Sequence, residues 1–343
     1  MGSEIMAMEL AGSAYERGLV QGRQMPELIR KAVASWGDAK GAHPETVASI
    51  SRRLETNSLG VCPEAVEEMR GLAEGSGIDY EDILRLNFCE SIWNDTVGWC
   101  TNGSFLDGSP GPILGKNSDI WDGDQEFHFV QRVTPDRGYS MLRCGFAGYI
   151  GVACGINEAG LAYGGSSVKV TKGSGRDDGV DGAMACAMIL QQCATVDEAV
   201  RMAATIPLAS HGLNATFIDK SGRAAVIEMA PSGKAVRSPE QATTYHTNHF
   251  ISLDAPEELK DQPEFLANSR ARIDTVSRLV NAVDRTPEGM MRILRDHSDT
   301  GPICQHGGCD MFSVVSHVLL PSEGRMFVTE GFPCQNEYVE FSL

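Results

Sequence analysis

At 343 residues, with 42% hydrophobic and 22% charged residues, the chain can bury a large core as one big domain or two modest ones. Its 29 basic and 46 acidic residues leave a formal charge of −17, which argues against nucleic acid or an anionic membrane as partner, because phosphate binding needs clustered Lys and Arg. There is no run of about 18 apolar residues to span a membrane, and Met1-Gly2-Ser3-Glu4-Ile5 lacks the basic and apolar regions of a secretory signal, so a cytoplasmic protein is expected.

Residues 5–99 read as helical. Ser13 with Glu16 three residues on forms a capping box ahead of Leu19, Val20, Leu28, Ile29 and Val33. Pro44 starts a second helix towards Leu54. Pro63 starts a third, with Val66, Met69, Leu72 and Ala73 on one face and Gly75-Ser76-Gly77 at its end. Asp79 caps a fourth, carrying Ile83, Leu84, Leu86 and Phe88.

The period changes at Gly98-Trp99-Cys100-Thr101-Asn102-Gly103. Residues 113–117, 127–134, 140–145, 149–156 and 161–168 alternate as strands joined by turn chemistry, which favours an antiparallel sheet. Residues 171–181, polar and glycine-rich, read as a surface loop. Residues 183–193 are apolar nearly all round and predict a helix buried between layers. Thr195 with Glu198 caps the helix 196–205. Strands follow over 214–219, 224–229, 234–237 and 242–247, then helices over 263–283 and 287–295, then strands over 313–320, 325–329 and 337–341. This order predicts an α+β chain: one folded unit of four layers, two stacked and mainly antiparallel sheets with helices outside.

Cys100, where helix gives way to strand, is the candidate nucleophile. As the first residue of a mature chain it would carry both a thiol and a free α-amine to act as its base. Asp119 closes the strand that begins near Gly115-Lys116-Asn117 and can orient that amine. Asn248, in Thr247-Asn248-His249, can donate to a developing oxyanion; His249 is an alternative base. His297, Cys304, His306, Cys309 and His317 cluster in sequence, but Cys304-x4-Cys309 is not a standard zinc spacing. The remaining cysteines, of ten in all, read as buried reduced thiols. Gly173-Ser174-Gly175 lacks the context of a phosphate loop. Ser210-His211 lacks a matching acid for a triad.

These motifs, in this order, resemble the acyl-coenzyme A:6-aminopenicillanic acid acyltransferase (isopenicillin N acyltransferase) family of N-terminal-nucleophile hydrolases. The resemblant segments are Tyr15-Glu16-Arg17-Gly18, Cys100-Thr101, Gly115-Lys116-Asn117-Ser118-Asp119, Asn157-Glu158-Ala159-Gly160, Thr247-Asn248-His249 and Ile303-Cys304-Gln305-His306. The resemblance implies an αββα sandwich made as one precursor that cuts itself between Trp99 and Cys100, giving a helical chain 1–99 and a catalytic chain 100–343. It implies Cys100 as nucleophile, Asp119 as site carboxylate and Asn248 as oxyanion donor, with Thr101, Asn117, His249 and Gln305 as substrate-binding candidates. Two departures stand out. Trp99 replaces the family's usual Gly before the cysteine, which restricts the strained backbone that self-cleavage uses. Gln305 replaces an Arg that would bind a carboxylate in bidentate fashion.

The expected activity is hydrolysis or acyl transfer on a small N-acyl amide through a Cys100 thioester, without cofactor or metal. The partners expected are that amide, with a cationic amine favoured by the negative charge, and the protein's own cleaved halves as a heterodimer able to associate further. Two other readings are an uncut, non-catalytic ligand-binding member, and a zinc or redox protein using Cys304, Cys309 and the nearby histidines.

Overall fold

The computed structural model describes residues 5, 7–36, 44–89, 99–170, 178–209, 211–255, 263–308 and 310–343. The loop expected over 171–181 lies outside them up to residue 177, and so does Ser210.

Two sheets stack face to face. The first has eight strands in the order β1-β4-β5-β6-β7-β8-β9-β10, and the second runs β11-β2-β3-β13-β14-β15 with β12 paired to β13. In the first sheet these are β1 (Ala7–Gly12), β4 (His128–Pro135), β5 (Met141–Phe146), β6 (Cys154–Asn157), β7 (Leu161–Val168), β8 (Gly212–Asp219), β9 (Ala224–Ala230) and β10 (Gly233–Arg237). In the second they are β2 (Trp99–Phe105), β3 (Ile113–Ile120), β11 (Tyr245–His246), β12 (His306–Gly308), β13 (Met311–Leu320), β14 (Arg325–Glu330) and β15 (Val339–Ser342). Leu114, Leu142, Ile156, Ile218, Leu319 and Met326 fill the space between the sheets.

Helices cover both outer faces. On the first sheet lie α1 (Ala14–Gln24), α2 (Pro26–Trp36), α3 (Pro44–Val61), α4 (Pro63–Ser76), α5 (Tyr80–Asn87), α6 (Gly182–Gln192) and α7 (Val196–Thr205). On the second lie α8 (Pro263–Leu279) and α9 (Pro287–Leu294), packed through Val276, Met290 and Ile293 onto Phe105, Ile113 and Val318. The expected four-layer αββα sandwich is therefore the fold. The capping boxes at Ser13 and Thr195 form as the sequence indicates.

Four local expectations are corrected. Residues 7–12 form a strand, not a helix: Met8 and Leu10 are buried while Glu9 and Ala11 are exposed, a period of two, and the strand runs parallel to β4. The strand expected over 149–156 shrinks to Cys154–Asn157, because the chain turns at Gly148, with a φ of 80°. The strand over 242–247 shrinks to two residues, since Gln241 and Ala242 both adopt positive φ. Finally, β12 was not anticipated.

The N-terminal helices are locked to the first sheet by charge as well as packing. Glu68 on α4 is 3% exposed and accepts from Arg17 on α1 at 3.0 Å and from Arg143 on β5 at 2.7 Å. The α1–α4 crossing is close: a Cβ at Gly18 would stand 1.9 Å from the Glu68 carbonyl oxygen, and one at Gly71 would stand 2.0 Å from that of Tyr15.

Candidate active site

Trp99 and Cys100 are the first two residues of β2, every position of which is buried. Against antiparallel β3, Trp99 sits opposite Asp119, Cys100 opposite Ser118, Thr101 opposite Asn117 and Asn102 opposite Lys116. Facing residues share a side of the sheet and successive residues alternate. Cys100, Ser118 and Lys116 thus face the first sheet, and Trp99, Thr101, Asn117 and Asp119 face the α8–α9 layer.

A cavity of about 880 Å³, its open mouth included, lies on the Cys100 side. Its lining includes the polar side chains of Cys100, Lys116, Ser118 and Ser167 and the mainly apolar ones of Trp36, Leu86, Tyr149, Val152 and Leu213. Among the described lining residues none is acidic. Lys116 is buried and donates to the Gly165 carbonyl at 2.6 Å. His128 also lines the cavity, and burial lowers its pKa.

On the other side of β2 the backbone of Cys100 is gripped at both ends. Its N–H donates to Asn248 Oδ1 at 2.9 Å, and its carbonyl accepts from Arg272 Nη1 at 2.6 Å. Arg272, wholly buried on α8, also donates to Thr101 Oγ1 at 2.9 Å, to Asn248 Oδ1 at 2.9 Å and to Asn268 Oδ1 at 2.6 Å. Its guanidinium lies 5.8 Å from the centre of the Trp99 ring, and Phe265 packs edge-on against the same ring. Burial pulls the Arg272 pKa down, while Asp119 and then Cys100 favour its charged form.

Asp119 is also fully buried. Its Oδ1 accepts from Ser313 Oγ at 2.5 Å, and its Oδ2 has no hydrogen-bond partner among the described residues. Burial pushes this carboxyl up to about 6, against the opposing pull of Arg272, the Ser313 bond and Lys116.

Cys100 and Asn248, 148 residues apart in sequence, therefore meet directly, but with a polarity the sequence reading did not assign. Two donors converge on the Asn248 side-chain oxygen, while its Nδ2 donates to the Ser167 carbonyl at 2.8 Å. Asn248 thus accepts from the Cys100 N–H. The nitrogen of Cys100 is paired to this amide rather than to Asp119, whose carboxylate bears on the site through Arg272.

The four substrate-binding candidates do not line the cavity. Strand alternation turns Thr101 to Arg272, and Asn117 to the carbonyls of Leu294 and Ile303 at 2.9 and 3.2 Å. The His249 ring lies 2.8 Å from Ser269 Oγ on α8, and burial lowers its pKa to about 4. Gln305 donates to the Pro302 carbonyl and accepts from Asn268 Nδ2. The residues missed were Arg272 and Lys116. Arg272 carried a readable signal: with Phe265, Ser269 and Val276 it occupies the buried stripe of α8, where an unpaired charge has no place.

The histidine–cysteine cluster is regrouped. His297, Cys304 and His306 come together with Cys334, not with His317, which lies beside Cys144; Cys309 falls outside the described residues. The described cysteines form no disulfide, in keeping with the reduced thiols expected.

The family model for acyl-coenzyme A:6-aminopenicillanic acid acyl-transferase matches residues 106–313, more than half of the chain. An uncharacterized protein of Archaeoglobus fulgidus is 25% identical over 304 residues, covering 78% of this chain, and the chain spans only 50% of that relative. Among solved structures, an N-acylethanolamine-hydrolyzing acid amidase ortholog of Caenorhabditis elegans matches at 18% identity and a TM-score of 0.46, covering 65% of this chain and 93% of its own. Penicillin V acylase of Agrobacterium tumefaciens matches at 16% identity and a TM-score of 0.48, covering 67% and 83% respectively. No described helix is long and apolar enough to cross a membrane.

Proposed function

The chain belongs to the acyl-coenzyme A:6-aminopenicillanic acid acyl-transferase family, and from that premise we propose that it is a cysteine amidohydrolase or acyltransferase switched on by cutting its own Trp99–Cys100 bond. The observation that carries this reading is the double placement of Cys100, whose thiol faces the cavity while its nitrogen is held on Asn248 Oδ1 at 2.9 Å. In the first step Cys100 Sγ attacks the Trp99 carbonyl carbon. The C–N bond breaks, the nitrogen leaves as the Cys100 α-amine, and a thioester forms. Water then hydrolyses the thioester, leaving Trp99 with a carboxylate and Cys100 as a free N-terminus.

In turnover the thiol gives its proton to that α-amine and attacks the amide carbonyl of a substrate. Asn248 Oδ1 keeps the amine in position. Lys116, on the thiol's face of the sheet, lends positive charge to the side where the tetrahedral oxyanion would form. The Asn248 Nδ2 donor can join it by leaving the Ser167 carbonyl, and one such donor is worth roughly 2.7–4 kcal/mol. Asp119 acts through Arg272. The apolar wall favours an apolar acyl group, and an amine leaving group, cationic once released, would depart through the open mouth. Trp36 and Leu86 supply part of that wall, so residues 1–99 stay in the assembly as the cut chain's partner.

The burial of Trp99 against Phe265 and Arg272 favours the rival reading, an uncut ligand-binding protein. Intact-mass measurement separates the two. Accumulation of a species beginning at Cys100, absent in Cys100→Ala, followed by hydrolysis of N-acyl amides by the cut protein, is the expected result. A wild-type chain still full-length after prolonged incubation, or a Cys100→Ala variant that still turns over amide, would overturn the proposal.

A further inference from the structure

We propose that His297, Cys304, His306 and Cys334 form a structural binding site for one zinc-like divalent cation, outside the catalytic cavity. The four residues come from three separate stretches: the turn after α9, the approach to and start of β12, and the turn after β14. Their ligand atoms all lie within 4.8 Å of one another. His306 Nε2 is 3.5 Å from Cys304 Sγ and 3.3 Å from Cys334 Sγ. Around a tetrahedral zinc, with sulfur at about 2.3 Å and nitrogen at about 2.0–2.1 Å, neighbouring ligand atoms stand about 3.3–3.8 Å apart. His306 already has this spacing to both sulfurs, and with every ligand atom within 4.8 Å of the others, shifts on the order of 1 Å complete a Cys2His2 set.

Protein contacts hold the ligands in place without a metal. The His306 ring stacks on Phe332 at 3.8 Å between centres, which aims Nε2 at the two sulfurs, and the His297 ring lies edge-on to it at 4.4 Å. The Cys304 amide donates to the Asp296 carbonyl at 3.0 Å, beside His297. Arg295 Nε donates to the Pro333 carbonyl at 2.8 Å, which brings the Cys334 turn to α9. Binding displaces the proton of each thiol and changes no oxidation state: both cysteines ligate as thiolates, and two protons go to solvent.

The placement gives the site a purpose. Gln305 lies between two of the ligands. Its amide donates to Ser313 Oγ at 2.9 Å, its carbonyl accepts from the Ser313 amide at 2.9 Å, and Ser313 Oγ in turn donates to Asp119. A cation on Cys304 and His306 would therefore brace the segment that holds the site carboxylate.

The test is anaerobic titration of the reduced, full-length protein with Co²⁺ and then Zn²⁺. The expected result is one equivalent of cobalt, with a thiolate-to-metal charge-transfer band that zinc abolishes. Cys304→Ser and Cys334→Ser, each checked for folding by circular dichroism, should weaken binding more than about 100-fold, beyond the effect of changing an outer-shell partner. Cys100→Ala should keep full binding, so this result stands apart from the fate of the catalytic proposal. Absence of stoichiometric metal in the reduced wild type, or binding unchanged in both folded serine variants, overturns the proposal.

Discussion

Asp119→Asn should make the precursor more stable and less able to mature, and the gain should depend on pH in a defined way. The carboxyl titrates near 6 in the folded chain against an ordinary value of 3.8. A raised pKa means that the folded state holds the proton more tightly than the unfolded one. The stability this contributes is present in full below about pH 4 and is lost as pH rises towards 6 and beyond. A gap of about two pH units, at 1.36 kcal/mol for each, corresponds to about 3 kcal/mol by pH 7, the cost of burying the ionised group under the incomplete compensation of Arg272 and Ser313. Asparagine keeps an acceptor for Ser313 Oγ and never ionises. On a Cys100→Ala background, which blocks cutting, urea unfolding of both chains from pH 4 to 8 should show stabilities that differ little at pH 4. They should diverge by up to about 3 kcal/mol in favour of asparagine by pH 7. With Cys100 intact, Asp119→Asn should mature slowly, as expected where a functional site stores strain that stability alone would remove. A stability difference that stays flat across this pH range would refute the account of Asp119 as a charge buried at a cost.

Arg272→Met leaves Asp119 without its cation and frees the Cys100 carbonyl, so it should destabilise the chain by about 3–5 kcal/mol and slow cutting, read by thermal denaturation and intact mass. Adding Asp119→Asn to it should restore part of the stability, and strict additivity of the two changes would contradict their coupling. Gly18→Val forces α1 from α4, because the contact is with backbone that cannot yield. It should cost at least about 1–3 kcal/mol, seen as a lower urea midpoint with unchanged metal binding.

The parts of this molecule legible in sequence were those written in local rules. Capping at Ser13, Asp79 and Thr195 and the αL glycine at Gly77 all depend on neighbours a few positions away. β1 escaped notice because six residues ahead of a strong capping box look like the helix's own lead-in, and only pairing with β4, more than 120 residues on, makes them a strand. The site divides along the same line. Cys100 and Asp119 sit at strand ends with chemistry in view. Which face each would take depends on register, and register depends on partners far along the chain. Thr101 and Asn117 face the helix layer and not the cavity for that reason alone, since a shift of one residue exchanges one for the other. Cys334 was absent from the expected metal set because nothing local links it to Cys304, 30 positions earlier; the turn after β14 does.

The alternation of β2 also explains why one peptide bond, and not its neighbours, is the candidate for cutting. Trp99 points into the α8 layer, pinned between Phe265 and Arg272, while Cys100 points into the cavity. The bond joining them crosses from one side of the sheet to the other, its two residues anchored in different layers. Arg272 and Asn248 hold the Cys100 carbonyl and nitrogen, while its thiol faces the cavity. The adjacent Cys100–Thr101 bond has its carbonyl committed to Arg272 and leads to a Thr101 hydroxyl bound to the same guanidinium, facing away from the cavity. In the proposed reaction the thiol first attacks the carbonyl on its own N-terminal side, and cutting that bond would leave its place to the amide carbonyl of a substrate entering from the open mouth.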